Sequence, residues 1–393
     1  MKGKGRLLLI LSVITVLVIT FSQCMNSEPE LTATETTRAG AETCKQCHQK
    51  VYDNYLHDMH SITSRPVKDF DIVKNAIPKS DTYQFTKELK VVVEKRKDGM
   101  YQVAYFDGEE GMARRFDIAF GSGKNVYTYG SWTGKILYQL PLSYLRAANN
   151  WVNSPKFPKD RPYYLQLIEP RCFECHSSNL EYTATQSGGL STGLQMEEKS
   201  LIYGIDCERC HGPAGQHVEF HIKNPEEKQS KYIVLYKSLT RKQKIDACAV
   251  CHSGNSQYKL QPTFGYKPGE DLAGYYNERT DAVYGSGEPD VHGNQVHLME
   301  KSQCFIQSKT MDCNTCHSLH ESKKEGLTAY SKKCISCHPT ISHSEKTLAN
   351  AMVKTNCIDC HMPLQPSQLI SFQEATQKDV TPYMLHNHRI AVY

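Results

Sequence analysis

The spacing of apolar and polar positions changes along the chain, and each change predicts a different element. Leu7 to Phe21 is an unbroken run of 15 apolar or hydroxyl residues behind Lys2, Lys4 and Arg6. It is short for a membrane span and fits the apolar region of an export signal; an uncleaved N-terminal anchor is the competing reading. From Leu89 to Leu140 the sequence reads "LKVVVEKRKDGMYQVAYFDGEEGMARRFDIAFGSGKNVYTYGSWTGKILYQL". β-Branched and aromatic runs there alternate with the turn signals KDG, DGEEG, GSGK and TG, which predicts a meander of about five strands. Such a meander serves either as a shield packed over neighbouring segments or as a docking surface. A helical period appears in "QKVYDNYLHDMH" at 49–60, where Val51, Tyr52, Tyr55, Leu56 and Met59 share a face and His60 stands at the end.

Composition changes the picture through cysteine. The chain has 393 residues with 16 Cys, 17 His and a formal charge of +4. That charge is small, and no basic run of the kind that grips nucleic acid is present. The cysteines fall almost entirely into one motif, C-x-x-C-H. It occurs at Cys44, Cys47, His48; Cys172, Cys175, His176; Cys207, Cys210, His211; and Cys248, Cys251, His252. It recurs at Cys313, Cys316, His317; Cys334, Cys337, His338; and Cys357, Cys360, His361.

C-x-x-C-H is the attachment signal of c-type haem. Two thiols two residues apart reach the two porphyrin vinyl groups, and the next histidine binds iron from the proximal face. Zinc knuckles, redox dithiols and disulfides explain single C-x-x-C pairs. None of them requires histidine after the second cysteine every time. The expected cofactor complement is therefore seven covalently bound haem c groups. Cys304 stands outside the motifs as a small, inert residue. Cys24 follows the apolar run and is a candidate for lipidation, although the preceding FSQ departs from the usual lipobox.

Seven haems in the 370 residues from Cys24 leave about 53 residues for each. The expected fold is mainly short α-helices and irregular loops wrapped around haems, with a small β-rich insert between the first and second motifs. In that picture the haems replace a conventional apolar core, and folding is coupled to their attachment. The expected division is a signal peptide at 1–23, a flexible tether at 24–40 and a first haem segment at 41–64. A β-rich insert at 65–165 and a six-haem domain at 166–393 follow. The gaps of 16 and 18 residues around CISCH are the closest and favour neighbouring haems there.

The stretches "CKQCHQKVYDNYLHDMHSITSRP", "DCERCHGPAGQHV", "VHGNQVHLMEKSQCF", "CNTCHSLH" and "NCIDCHMPLQPS" resemble the bacterial multihaem cytochromes of the cytochrome c-552/4 domain family. That family includes the tetrahaem electron carrier of ammonia oxidisers. The resemblance implies exported electron transfer between redox protein partners, with haems mostly capped by two histidines. Carried over position by position, it implies distal ligation by His60, His217, His292, His320, His343 and His388. Six distal candidates face seven irons. Either His57, His221, His297 or His386 caps the last, or one iron stays five-coordinate. Met362 is too close to His361 to reach the opposite face.

Three functions remain open on the sequence. The first is an exported electron carrier of the periplasm or cell-envelope surface, tethered through Cys24 if that residue is lipidated. The second is a reductase or oxidase of a small nitrogen or sulfur oxyanion at one open haem. No C-x-x-C-K variant, which marks one group of nitrite reductases, is present. The third is a structural subunit of a membrane-bound respiratory complex.

Overall fold

The computed structural model describes residues 36–67, 78–187, 191–254, 259–276, 289–321, 326–340, 342–348, 351–375 and 379–393. The export signal, Cys24 and most of the tether lie outside the described residues. Among the described residues no helix is long and apolar enough to cross a membrane.

The chain divides into two units. In its described part the smaller holds residues 36–39 and 213–233, with one helix at Gly215–Lys223. Everything else described belongs to the larger unit.

Antiparallel sheet dominates the larger unit, which corrects the expectation of a mainly helical wrapper. One sheet runs in the order β1 (Ser64–Pro66), β6 (Ile118–Phe120), β7 (Val126–Thr133), β9 (Leu142–Leu145), β10 (Asn150–Asn153), β13 (Leu364–Glu374), β14 (Val380–His386), with β8 (Ile136–Gln139) paired to β7. A second sheet contains β2 (Thr82–Gln84), β3 (Leu89–Arg96), β4 (Gly99–Phe106) and β5 (Glu109–Arg115). β11 (Ser177–Ser187) and β12 (Ser191–Tyr203) form a hairpin. The helices are short: α1 (Ala41–Tyr55), α2 (Pro170–His176), α3 (Cys207–His211), α4 (Gly215–Lys223), α5 (Arg241–His252) and α6 (Gln295–Glu300). α7 (Gln303–Gln307), α8 (Leu327–Cys337), α9 (Glu345–Leu348) and α10 (Ile358–His361) follow.

The physical reason lies in backbone hydrogen bonding. A C-x-x-C-H pentad supplies barely more than one helical turn, too little to satisfy the peptide groups of the segments between motifs. Those segments pair as strands instead. Within 89–140, where about five strands are expected, six form, β3 to β8, divided between the two sheets, and β2, β9 and β10 flank them.

The same strands build a conventional apolar core, which the haem-as-core picture did not allow for. Tyr83, Val91, Tyr129, Leu142, Tyr144 and Trp151 bury one cluster between the two sheets. Gln102, fully buried, ties the sheets together. Its Nε2 donates to Leu142 O at 2.8 Å, and Leu142 N donates to its Oε1 at 2.8 Å. A second cluster, with Ile118, Leu137, Phe173 and Met196, joins the sheet to α2 and the hairpin. The chain's end is part of this body: Val152 of β10 pairs with Glu374 of β13.

Candidate functional site

Each motif occupies a short helix, its end, or a tight turn, because its cysteines must stand on one turn. Motif one lies in α1, whose helical geometry breaks at His48 (φ −116°, ψ 38°). Motifs two, three, four and seven end at the last residues of α2, α3, α5 and α10. Motif five starts in the 3-10 turn Cys313–Thr315, and motif six closes α8. Asp206 caps α3 by accepting from Arg209 N at 3.1 Å, and Thr240 and Gln243 form a capping box on α5. None of the described cysteines forms a disulfide.

The motifs meet in an order different from the sequence. Cys44 and Cys207 are hydrogen-bonding neighbours, which joins motifs one and three. Cys175 and Cys251 join two and four, and Cys248 and Cys313 join four and five. Cys334 and Cys357 join six and seven. Backbone and side-chain links support each junction. Gly40 N, at the start of α1, donates to Glu208 Oε2 at 3.0 Å. Arg241 Nε donates to Met311 O at 2.8 Å, and Lys244 pairs with Asp312 at 3.7 Å. Cys357 N donates to Ser331 Oγ at 2.9 Å.

Four motif histidines face a histidine from elsewhere in the chain. Ring centroids are 6.2 Å apart for His252 and His60, and 5.8 Å for His211 and His320. They are 6.4 Å apart for His317 and His388, and 6.0 Å for His361 and His343. A metal bound at about 2.0 Å by each of two imidazole nitrogens puts the centroids roughly 6 Å apart. The residues present therefore fit an iron held between each pair. Two half-rings and two such bonds would fill the observed gap.

The other ring nitrogen is held as a ligand requires. Metal-binding imidazoles usually donate their second N–H to a carbonyl or carboxylate, which fixes tautomer and orientation. His60 Nδ1 meets Asp58 Oδ1 at 2.9 Å, and His211 Nδ1 meets Val234 O at 2.8 Å. His361 Nδ1 meets Ala391 O at 2.8 Å, and His388 Nδ1 meets His386 O at 3.2 Å. Burial, with His317 as the next cause, lowers the His388 pKa to about 4. Burial, followed by His60, lowers that of His252 to about 4.

The remaining sequence candidates are placed differently. His176 is lodged against the sheet: Phe120 packs edge-on at 5.9 Å, and Thr63 and Ser64 hydroxyls donate to its carbonyl at 3.0 and 2.6 Å. Burial lowers its pKa, and His292 adds to that within electrostatic reach. The ring of His292 lies 5.8 Å from that of Tyr383. Within the smaller unit His217 Nδ1 meets Lys231 O at 2.8 Å, and its ring lies 4.6 Å from His221. His221 Nε2 is buried without a hydrogen-bond partner, an orphan of the kind a bound iron would satisfy. His386 Nδ1 meets Met362 O at 2.7 Å. His297 is buried beside Asn294, and His57 is exposed.

Sequence reasoning missed the groups that orient these rings and join the motifs. Asp58, beside His60 in "HDMH", carried a readable signal, because a carboxylate two residues away suits an imidazole N–H. Glu174, Glu208 and Arg209 occupy variable motif positions and carried none.

The seven C-x-x-C-H motifs and the histidines paired with them are those of a bacterial multihaem c-type cytochrome, whose cofactor is covalently bound haem c. Residues 152–212 match the family described as cytochrome c554 and c-prime. A multiheme cytochrome, MtrA, of Shewanella baltica (strain OS185) is 24% identical over 196 residues, 48% of this chain. The chain spans about half the length of that curated relative, 51%. Among solved structures, the outer cell wall cytochrome OcwA shares the fold with a TM-score of 0.53 at 16% identity, covering 86% of this chain and 79% of that one.

Proposed function

We propose that the chain is an exported heptahaem electron carrier, passing electrons between redox protein partners. The observation that carries this reading is the contiguity of the motifs: one with three, two with four, four with five, six with seven. When bound, haem iron takes up and releases one electron at a time. The residues do the rest. Cys44, Cys47, Cys172, Cys175, Cys207, Cys210, Cys248, Cys251, Cys313, Cys316, Cys334, Cys337, Cys357 and Cys360 provide the thioether attachments. His48, His176, His211, His252, His317, His338 and His361 provide the proximal nitrogens. His60, His320, His388 and His343 cap the fourth, third, fifth and seventh sites, on the strength of the ring separations.

Export is part of the proposal, because haem is attached to such motifs outside the cytoplasm and the N-terminus reads as a signal. Loss of processing in globomycin would place a lipid on Cys24; unchanged processing would assign a cleaved or anchored form. The central test is electron paramagnetic resonance of the oxidised protein. A carrier with capped irons gives a low-spin spectrum that nitrite and cyanide leave unchanged. A full high-spin equivalent that shifts with either ligand would replace this reading with an iron-centred enzyme.

A further inference from the structure

Between the cysteines of motifs two and three stand Glu174 and Arg209, and both are buried, at 3% and 6% exposure. Lys259 forms a salt bridge with Glu174 Oε2 and is itself 13% exposed at its side chain. Thr263 N and Oγ1 donate to the same carboxylate oxygen at 3.0 and 2.7 Å. Arg209 completes the cluster. Its Nη2 donates to Glu174 O at 3.1 Å and to Thr263 Oγ1 at 3.1 Å, and its Nη1 donates to Thr263 O. Arg209 Nε is buried without a hydrogen-bond partner. The fourth motif closes on this cluster, with Cys251 Sγ donating to Glu174 O at 3.6 Å and Cys175 Sγ reaching Cys251 O at 4.0 Å. Lys259 Nζ lies 5.6 Å from the Tyr276 ring, whose hydroxyl donates to Val250 O at 2.8 Å.

Stability does not explain this arrangement. Desolvating three charged groups costs about as much as their attraction returns, and an apolar cluster of equal volume would hold the helices as well. What the charges do is set a field. Two cations and one anion give a net positive charge beside motifs two and four. Two more buried carboxylates stand nearby at motif three: Asp206 accepts from Arg209 N at the start of α3, and Glu208 accepts from Gly40 N. A positive charge close to a one-electron centre stabilises its reduced form.

We propose that Lys259, Arg209 and Glu174 are positioning residues that set the reduction potentials of the second and fourth haem sites, the two cations raising them and Glu174 lowering them. This rests on the haem reading above. At about 10 Å and an effective dielectric constant of about 20, one unit charge changes the reduced-to-oxidised ratio of a site on the order of tenfold at fixed ambient potential.

The test is a spectroelectrochemical titration of the full-length, haem-loaded protein and of Lys259→Gln and Glu174→Gln. Lys259→Gln should move one or two components to lower potential, and Glu174→Gln should move the same components to higher potential, with the rest unmoved. Shifts in the same direction, or none with full haem loading, would overturn the proposal. Should Glu174→Gln fail to mature, Lys259→Arg decides beside Lys259→Gln. A downshift in Lys259→Gln that Lys259→Arg lacks supports the field, and equal behaviour of the two overturns it. Haem loading is read separately by mass spectrometry of the peptides carrying Cys172–Cys175 and Cys248–Cys251. Bare peptides in the unsubstituted protein would overturn the haem reading itself, whereas loaded peptides with unmoved potentials overturn only the role of the cluster.

Discussion

Replacing His388 with alanine should convert one iron of the oxidised protein from low to high spin. The His317 and His388 rings are 6.4 Å apart at their centroids with their planes 20° from parallel. Taking about 1.1 Å from each centroid to its nitrogen leaves roughly 4.2 Å, the length of two bonds of about 2.1 Å. Alanine cannot span that gap. Cys313, Cys316 and His317 are untouched, so attachment should persist and the change is confined to one axial position. The tail should keep its place, because Ile390 N donates to Ser302 Oγ at 2.8 Å and Ala391 N donates to His361 O at 3.1 Å. Loss of packing alone should cost about 1 kcal/mol. The assay is electron paramagnetic resonance with spin quantitation against total haem, and the expected result is one high-spin equivalent per chain. His388→Met should restore low spin while raising the potential of that site. A wholly low-spin spectrum from fully loaded His388→Ala would refute the use of ring separation as a guide to ligation.

His60→Ala and His320→Ala should each add one high-spin equivalent, and the double variant two, because they face different motif histidines; spin counting checks both. A pyridine haemochrome assay should return seven haems per chain, and five or fewer would remove the motif reading. Trp151→Ala, in the core between the sheets, should lower stability by about 3–5 kcal/mol in denaturant unfolding.

The chemistry was far more legible than the fold. C-x-x-C-H is covalent grammar and survives any tertiary context. The meander at 89–140 was visible because KDG and DGEEG punctuate strong β-branched runs. β11, β12, β13 and β14 escaped for identifiable reasons. "LQPSQLISFQE" carries Pro366 inside the strand, and its pairing with β14 shifts register between Pro366 and Ser371. "SSNLEYTATQS" is mostly polar, and its pairing with β12 is irregular at Asn179. β10 and β13 are neighbours in the sheet although more than 200 residues separate them, and no local pattern announces such a partnership. His388 entered through the resemblance alone; its ring lies opposite that of His317, and Ala391 O meets His361 Nδ1.

Adjacency of the motifs was the least legible feature, and the reason is chemical. Short sequence gaps suggested that motifs around CISCH would be neighbours, and Cys334 does meet Cys357. Elsewhere sequence order misleads, since motif one meets three and motif two meets four. Attachment uses only the cysteines and the histidine, so the two intervening residues of each motif are free of that chemistry. In motifs two and three they include Glu174, Glu208 and Arg209, which are among the most buried charges of the described residues. Glu208 accepts from the backbone at the start of α1, while Glu174 and Arg209 bind the same threonine, Thr263. A charge fixed inside the motif stands within a few residues of the iron ligand, so whatever it binds is held beside that iron as well. The same side chain thus selects the neighbouring site and biases its potential. A chain with these motifs at identical spacing but neutral residues at 174, 208 and 209 would keep its haem ligands and lose the contacts that order them.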